Sequence, residues 1–170
     1  MRTVLLSLFT IISSALTAQN ILDSIQLFDY PVKEGVIYRY ENKNKSVCTQ
    51  ACANALSIVS VITQSDSVYH FEEGKVAGIF TIDNVYAVTI QNTRNEFITY
   101  SNLETITVKK GDKIARGMSI GTTAQSNDLD SGINQVDILI LRKVKQLPYR
   151  KTIEYIRSKS TPRKIYYSSL

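Results

Sequence analysis

Few residues of this 170-residue chain can do chemistry near neutral pH. There is one histidine, His70, and there are two cysteines, Cys48 and Cys52. A lone histidine on a strand segment is the ordinary mark of a packed, satisfied side chain, and an imidazole acting as a ligand or base needs partners. The cysteine pair fits a local disulfide in an oxidising compartment, although a bridge across so short a loop constrains the unfolded chain little. A zinc role for the pair would need further ligands close by, and the sequence shows none. His70, Asp137 and a cysteine form a conceivable rebuilt metal site, which nothing in their spacing recommends. Asn102, Gln135 and Asp137 are polar residues at the ends of strand-like segments, able to hydrogen-bond a ligand or simply tolerated at an exposed edge.

Strands must position these residues. The run 35–40 alternates as a half-buried strand does, and 56–62 is β-branched and continuous, as a fully buried one is. Further strands are expected over 67–71, 74–82, 85–92, 96–100 and 135–143. Tight turns at Asp83-Asn84 and Thr93-Arg94-Asn95 each contain asparagine, which tolerates the positive φ of short hairpin loops. Gly111 suits the turn over 109–112, and Gly117 and Gly121 punctuate the strand that follows. A helical turn or two over 20–29, a loop at 42–45, a polar loop at 127–132 and a short helix over 151–159 complete the pattern. Segment 46–56 reads equally as helix or irregular loop. There is no internal repeat.

The N-terminus has one charge, Arg2, then an apolar run from Val4 to Leu16 and small residues ending at Ala18. This is the layout of a secretory signal over 1–18, with cleavage before Gln19; an uncleaved anchor is the other reading. No cysteine follows the run, so a lipid anchor is not indicated. No other stretch approaches the roughly 18 continuous apolar residues of a membrane helix. About 150 residues remain, enough for one core. Residues 142–170 hold nine basic side chains against Glu154 alone, a balance of +8. The whole chain is +5, which leaves −3 for everything before. Interleaved with Tyr149, Tyr155, Tyr166 and Tyr167, this basic extension suits an anionic lipid or wall polymer better than nucleic acid if the protein is exported, or serves only solubility.

The run from Tyr100 to Gly121 is the most specific stretch: a tyrosine, Leu103 three residues on, and the string V-K-x-G-D-x-x-x-x-G-x-x-I-G from Val108. With 68–76, which looks like the family's V-x-A-x-x-x-G-x-V but has His70 at the alanine position, and with Pro31-Val32, Gly35-Val36-Ile37 and 134–139, it resembles the lysostaphin or LytM-type zinc endopeptidases that cut peptidoglycan cross-links. The resemblance covers residues 31–142. It implies a mainly β fold, an antiparallel sheet or sandwich of duplicated hybrid type, with the metal and groove on one sheet. It leaves 19–30 as a short lead segment and 143–170 as a basic, tyrosine-rich tail.

That family holds zinc through H-x-x-x-D and the second histidine of H-x-H. Helper histidines come from Y-x-H-L and the first position of H-x-H. Carried over, the first pair falls on Ala55 and Val59, the Y-x-H-L histidine on Asn102, and H-x-H on Gln135-Val136-Asp137. Of the metal positions only Asp137 has a donor atom. The resemblance therefore implies a degenerate member without catalytic residues or zinc, in which Tyr100, Asn102, Gln135 and Asp137 line a vestigial groove. Degenerate members bind wall material or regulate a cell-wall hydrolase, which implies a periplasmic or extracellular place with peptidoglycan or a hydrolase as partner. Two alternatives stand beside it. One is an active or metal-shifted zinc endopeptidase. The other is a lipoyl- or biotinyl-like carrier barrel, which shares the V-K-K-G-D string but needs a modifiable lysine in a hairpin turn, where this chain has Asp83-Asn84 and Thr93-Arg94-Asn95.

Overall fold

The computed structural model describes residues 27–38, 58–126, 132–160 and 162–163. Segments 46–56, with Cys48, Cys52 and Ala55, and 1–18 lie outside the described residues. Alternation in sequence becomes two-faced strands, since successive side chains of a strand point to opposite sides. In β3 (Val59–Thr63), positions 59, 61 and 63 are buried and Ser60 and Ile62 face the other way. In β10 (Asn134–Arg142), Val136, Ile138 and Ile140 enter the core, which places Gln135, Asp137 and Leu139 on the opposite face.

The other strands are β1 (Leu27–Phe28), β2 (Val36–Tyr38), β4 (Ser67–Tyr69), β5 (Gly74–Ile82), β6 (Val85–Asn92), β7 (Glu96–Ile106), β8 (Lys113–Ile114), β9 (Ser119–Gln125), β11 (Lys145–Gln146) and β12 (Pro162–Arg163). Ten of them form one sheet, hydrogen-bonded in the order β2-β3-β10-β9-β7-β6-β5-β8, with β4 on β9 and β11 on β10. The strand pairings are antiparallel throughout, so the mainly antiparallel β architecture expected from the sequence is present. The part of 20–29 that is described is not helical: Leu27 and Phe28 extend as β1 and pair with β12.

The expected turns form for the expected reasons. Asp83 and Asn84 both have positive φ (46° and 68°), the geometry that a two-residue hairpin needs, and neither is a lysine. At the next turn the Asn92 side-chain oxygen accepts the backbone N–H groups of Arg94 and Glu96, both at 2.9 Å. The V-K-K-G-D string is a clasp onto β5. Gly111, at φ 96°, donates its N–H to the Val76 carbonyl, Val76 donates to the Asp112 carbonyl, and the Asp112 carboxylate accepts the Lys109 N–H at 2.8 Å. Gly121 is required by close approach, because a Cβ there would lie 2.1 Å from the Thr105 carbonyl oxygen on β7. The most family-like stretch is thus explained by backbone geometry rather than by chemistry.

Residues 143–160 pack against the sheet. β11 folds back on β10, and the helix α1 (Tyr149–Lys159) turns Thr152, Tyr155 and Ile156 inward at helical spacing. Ile156 is fully buried with Val59, Ile138 and Ile140 in one core; burying such a side chain stabilises by about 1.5–3 kcal/mol. Arg157 and Lys159 in the last turn suit the negative end of the helix dipole. The Ser160 hydroxyl then ties the helix end to the Tyr30 carbonyl at 2.6 Å. No helix among the described residues is long and apolar enough to cross a membrane.

Candidate functional site

Antiparallel pairing sets Asp137 between Ser60 on β3 and Ser101 on β7. The Ser60 hydroxyl donates to Asp137 Oδ1 at 2.6 Å, and Gln135, two residues along the same face, donates its amide to the same oxygen at 2.8 Å. The Ser126 hydroxyl donates to Gln135 Oε1 at 2.7 Å, which fixes the orientation of the amide. Two neutral donors thus hold one carboxylate oxygen on a polar sheet face.

Asn102 sits at the fork of the sheet. Ser101 still pairs with β10, whereas Leu103 pairs with Thr123 on β9, so β7 changes partner at this residue. The change is made with φ at 60°, a conformation that asparagine tolerates better than most residues. Its amide nitrogen points into the fork, 3.0 Å from the Gln135 carbonyl and 3.5 and 3.4 Å from those of Ala124 and Gln125.

Asn102 and Asp137 are therefore each linked to Gln135, the one through its backbone carbonyl and the other through its side-chain amide. Val59 and Tyr100 are not part of this group. Val59 is fully buried in the core, and Ser60 is the β3 residue on the face of Asp137. Tyr100 is likewise fully buried, beneath the sheet. Its hydroxyl lies 2.8 Å from His70 Nδ1, and burial pushes its pKa well above the usual tyrosine range. Sequence reasoning missed Ser60, although the period-two rule applied to 59–63 together with the parity of Asp137 was a signal for it.

His70 is a packing residue, as a lone strand histidine ordinarily is. It is fully buried, stacked on Phe71 and edge-on to Tyr100, and its Nε2 has no hydrogen-bond partner among the described residues. Burial lowers its pKa from 6.5 to about 4. It shares no contact with Asp137.

The donors on the polar face do not fit a zinc ion of the family kind. Such a site needs three imidazole, thiolate or carboxylate ligands with an open position for water. Here one carboxylate stands among a hydroxyl and two amides, and among the described residues no group of three His, Cys, Asp or Glu side chains converges anywhere. No imidazole lies between Ser60 and Asp137, so the pair also lacks the base of a hydrolytic triad.

A second cluster gathers where α1 meets the sheet, from residues too scattered in sequence to be foreseen. The Tyr155 hydroxyl accepts from Arg94 at 2.7 Å and Asn92 at 3.1 Å, and lies in donating reach of Glu72 and, at 2.9 Å, of Glu96. Arg94 pairs with Glu72 and Glu96 at 3.1 Å each, and Arg142 with Glu96 at 2.5 Å. Burial and the adjoining Glu72 and Glu96 carboxylates raise the Tyr155 pKa. Burial also acts to raise Glu96, but the hydrogen bonds from Asn92, Tyr155 and Arg142 and the charge of Arg94 outweigh it and hold the carboxyl below its ordinary value. With its charges compensated, this cluster is a latch for the helix.

Two concavities lie elsewhere, one of about 910 Å³ beside Tyr30, Lys33, Tyr69 and Arg116, and one of about 540 Å³ beside Lys75, Asn92 and Lys113. Neither includes Ser60, Asn102, Gln135 or Asp137. Segments 39–57 and 127–131 lie outside the described residues.

No family model and no curated protein sequence matches the chain. Solved structures do. A chain from the crystal structure of the SpoIIIAH and SpoIIQ complex is 18% identical, with a TM-score of 0.54 over 74% of this chain and 99% of that one. A peptidase M23 from Pseudomonas aeruginosa is 15% identical, with a TM-score of 0.53 over 80% of this chain and 57% of that one. Lysostaphin from Staphylococcus simulans is 12% identical, with a TM-score of 0.48 over 60% of this chain and 45% of that one. This chain spans about half the length of those two peptidases. It has the M23, lysostaphin-like fold, and the resemblance drawn from the Tyr100 to Gly121 run holds at that level.

Proposed function

We propose that this chain, built on the M23 peptidase fold, is an exported, non-catalytic envelope protein. It binds peptidoglycan, or a hydrolase acting on it, through the face that carries Ser60, Asn102, Gln135 and Asp137. One observation supports the reading: the face that carries Asp137 gathers a serine, two amides and a single carboxylate already held by two of them. Such a face can recognise by hydrogen bonds but cannot lower the pKa of a water toward neutrality. The 1–18 signal and cleavage before Gln19 belong to the same proposal, since wall material is met only outside the cytoplasm. A protein partner is the second reading. It is favoured by the likeness to a chain whose solved structure is a two-protein complex and which this chain covers almost end to end.

The test is the zinc content of residues 19–170 after incubation with zinc and buffer exchange, run beside co-sedimentation with purified peptidoglycan. The expected result is less than about a tenth of an equivalent of zinc, because three-ligand sites hold the ion far more tightly than that, together with sedimentation. A full equivalent that disappears in Asp137→Ala would return the protein to the peptidases. Absence of zinc and of sedimentation together would move the search to protein partners.

A further inference from the structure

A second two-residue hairpin breaks the rule that the Asp83-Asn84 hairpin keeps. Arg142 pairs with Lys145 across β10 and β11, so Lys143 and Val144 form the loop, with φ at 50° and 64°. Loops of this kind ask for asparagine, aspartate or glycine. The chain meets that demand at Asp83-Asn84 and places Asn95 and Asn102 at two further positive-φ positions. Val144 is the one β-branched residue in this conformation among the described residues, and such side chains are rarely found there. No packing compensates the strain, because Val144 is 92% exposed. A local rule broken without a structural return points to a use of the side chain outside the fold.

The cations beside this tip are ones that the fold does not use. Lys143 and Lys145 flank Val144, and Arg150 and Arg157 follow on the exposed side of α1, two turns apart. None of the four enters an ion pair among the described residues. Arg94, Arg142 and Lys159 are held by Glu72 and Glu96, and Lys151 by Glu154, the one acidic residue from 138 onward. The hairpin and the helix thus share an excess of free positive charge around one exposed apolar side chain.

We infer that the β10–β11 hairpin is a membrane-contact tip: Val144 enters the interfacial region of an anionic bilayer, while Lys143, Lys145, Arg150 and Arg157 meet its headgroups. An apolar residue between long cationic side chains suits that boundary, where the ammonium groups stay with the headgroups and the carbon sinks below them. A soluble polyanion would engage the cations and give the strained valine no role. A folded protein would need a pocket shaped to a convex tip, whereas lipid closes around any shape. The contact is separate from the Asp137 face, so its failure would leave the wall-binding reading untouched.

The experiment uses residues 19–170, without the apolar run from Val4 to Leu16 that would bind lipid by itself, and vesicles of phosphatidylcholine with or without phosphatidylglycerol. The chain has no tryptophan, so Val144→Trp is a single-site reporter of the tip, and Phe80→Trp, on the other hairpin at 56% exposure, is its control. The expected result is sedimentation of the unaltered protein with phosphatidylglycerol vesicles only, and a blue shift of emission there in Val144→Trp but not in Phe80→Trp. Val144→Asn should bind these vesicles roughly tenfold more weakly, the worth of one valine side chain removed from water, yet melt at a higher temperature, because asparagine accepts the positive φ. No sedimentation of the unaltered protein with phosphatidylglycerol vesicles would overturn the inference, and this needs no variant to fold. Binding that leaves Val144→Trp emission unshifted, or that Val144→Asn retains in full, would also overturn it and reduce the contact to charge alone.

Discussion

Ser60 and Asp137, 77 residues apart in sequence, are cross-strand partners whose side chains meet at 2.6 Å on the polar face of the sheet. Their neighbours Val59 and Ile138 are also partners, and point into the core. Ser60→Asn should therefore shift stability by about 1 kcal/mol or less, because it trades one polar group for another at the surface. Val59→Asn should lose about 3 kcal/mol by burying an amide without partners. Urea unfolding of both variants checks the register, and a reversed order, with the larger loss in Ser60→Asn, would show that β3 is shifted by one residue.

Asn102 combines a backbone demand with a side-chain one. Asn102→Gly keeps the positive φ and loses only the amide contacts, and should cost about 1 kcal/mol. Asn102→Ala loses both and should cost roughly 2–3 kcal/mol. The ordering of the two denaturation midpoints is the readout, and alanine as stable as glycine would remove the conformational role.

The latch on α1 is testable through Tyr155→Phe, which leaves the ring in place and takes the hydroxyl from between Glu72 and Glu96. A loss of about 1.5–3 kcal/mol is expected, the range for hydrogen bonds to charged groups. Ile156→Ala, which opens a cavity in the core, should lose about 2–5 kcal/mol. A change below about 0.5 kcal/mol in Tyr155→Phe, the range of an ordinary surface substitution, would mean that the helix is held by packing alone.

His70 should make stability fall in acid. Its folded pKa, about 4, lies below the unfolded value of 6.5. Between those values the unfolded chain therefore binds the extra proton, and stability rises with pH. The contribution is complete above pH 6.5 and is lost as pH falls through 4, in all on the order of 3 kcal/mol. Depressed carboxylates such as Glu96 add their own acid loss, in the same direction. The difference between the protein and His70→Gln isolates the histidine. Parallel stability curves for the two from pH 7 to 4 would show that His70 does not titrate in the fold.

Much of this could be read from the chain as a string. Local rules sufficed for the hairpins at Asp83-Asn84 and at 93–95, for Gly111 and Gly121, and for the alternation in 134–142, because each depends on a backbone torsion or a period that one or two residues impose. The helix was foreseen over 151–159 and forms over Tyr149–Lys159. The lack of side-chain donors at Ala55 and Val59, and a single histidine in the whole chain, needed no coordinates at all.

What waited for the folded chain was which residues meet. Strand register decides that Ser60 rather than Val59 stands beside Asp137, since a one-residue slip sends every side chain to the other face. Tyr100 went into the core with His70 instead of lining a groove, because β7 turns that position inward. Residues 149–159 form a docked helix because Tyr155 finds the carboxylates of Glu96 and Glu72, 59 and 83 residues away, and Ile156 enters the core that the strands build. Residue types and local torsions are properties of short stretches, whereas partners are a property of long-range pairing, where loop closure and burial choose among many local alternatives.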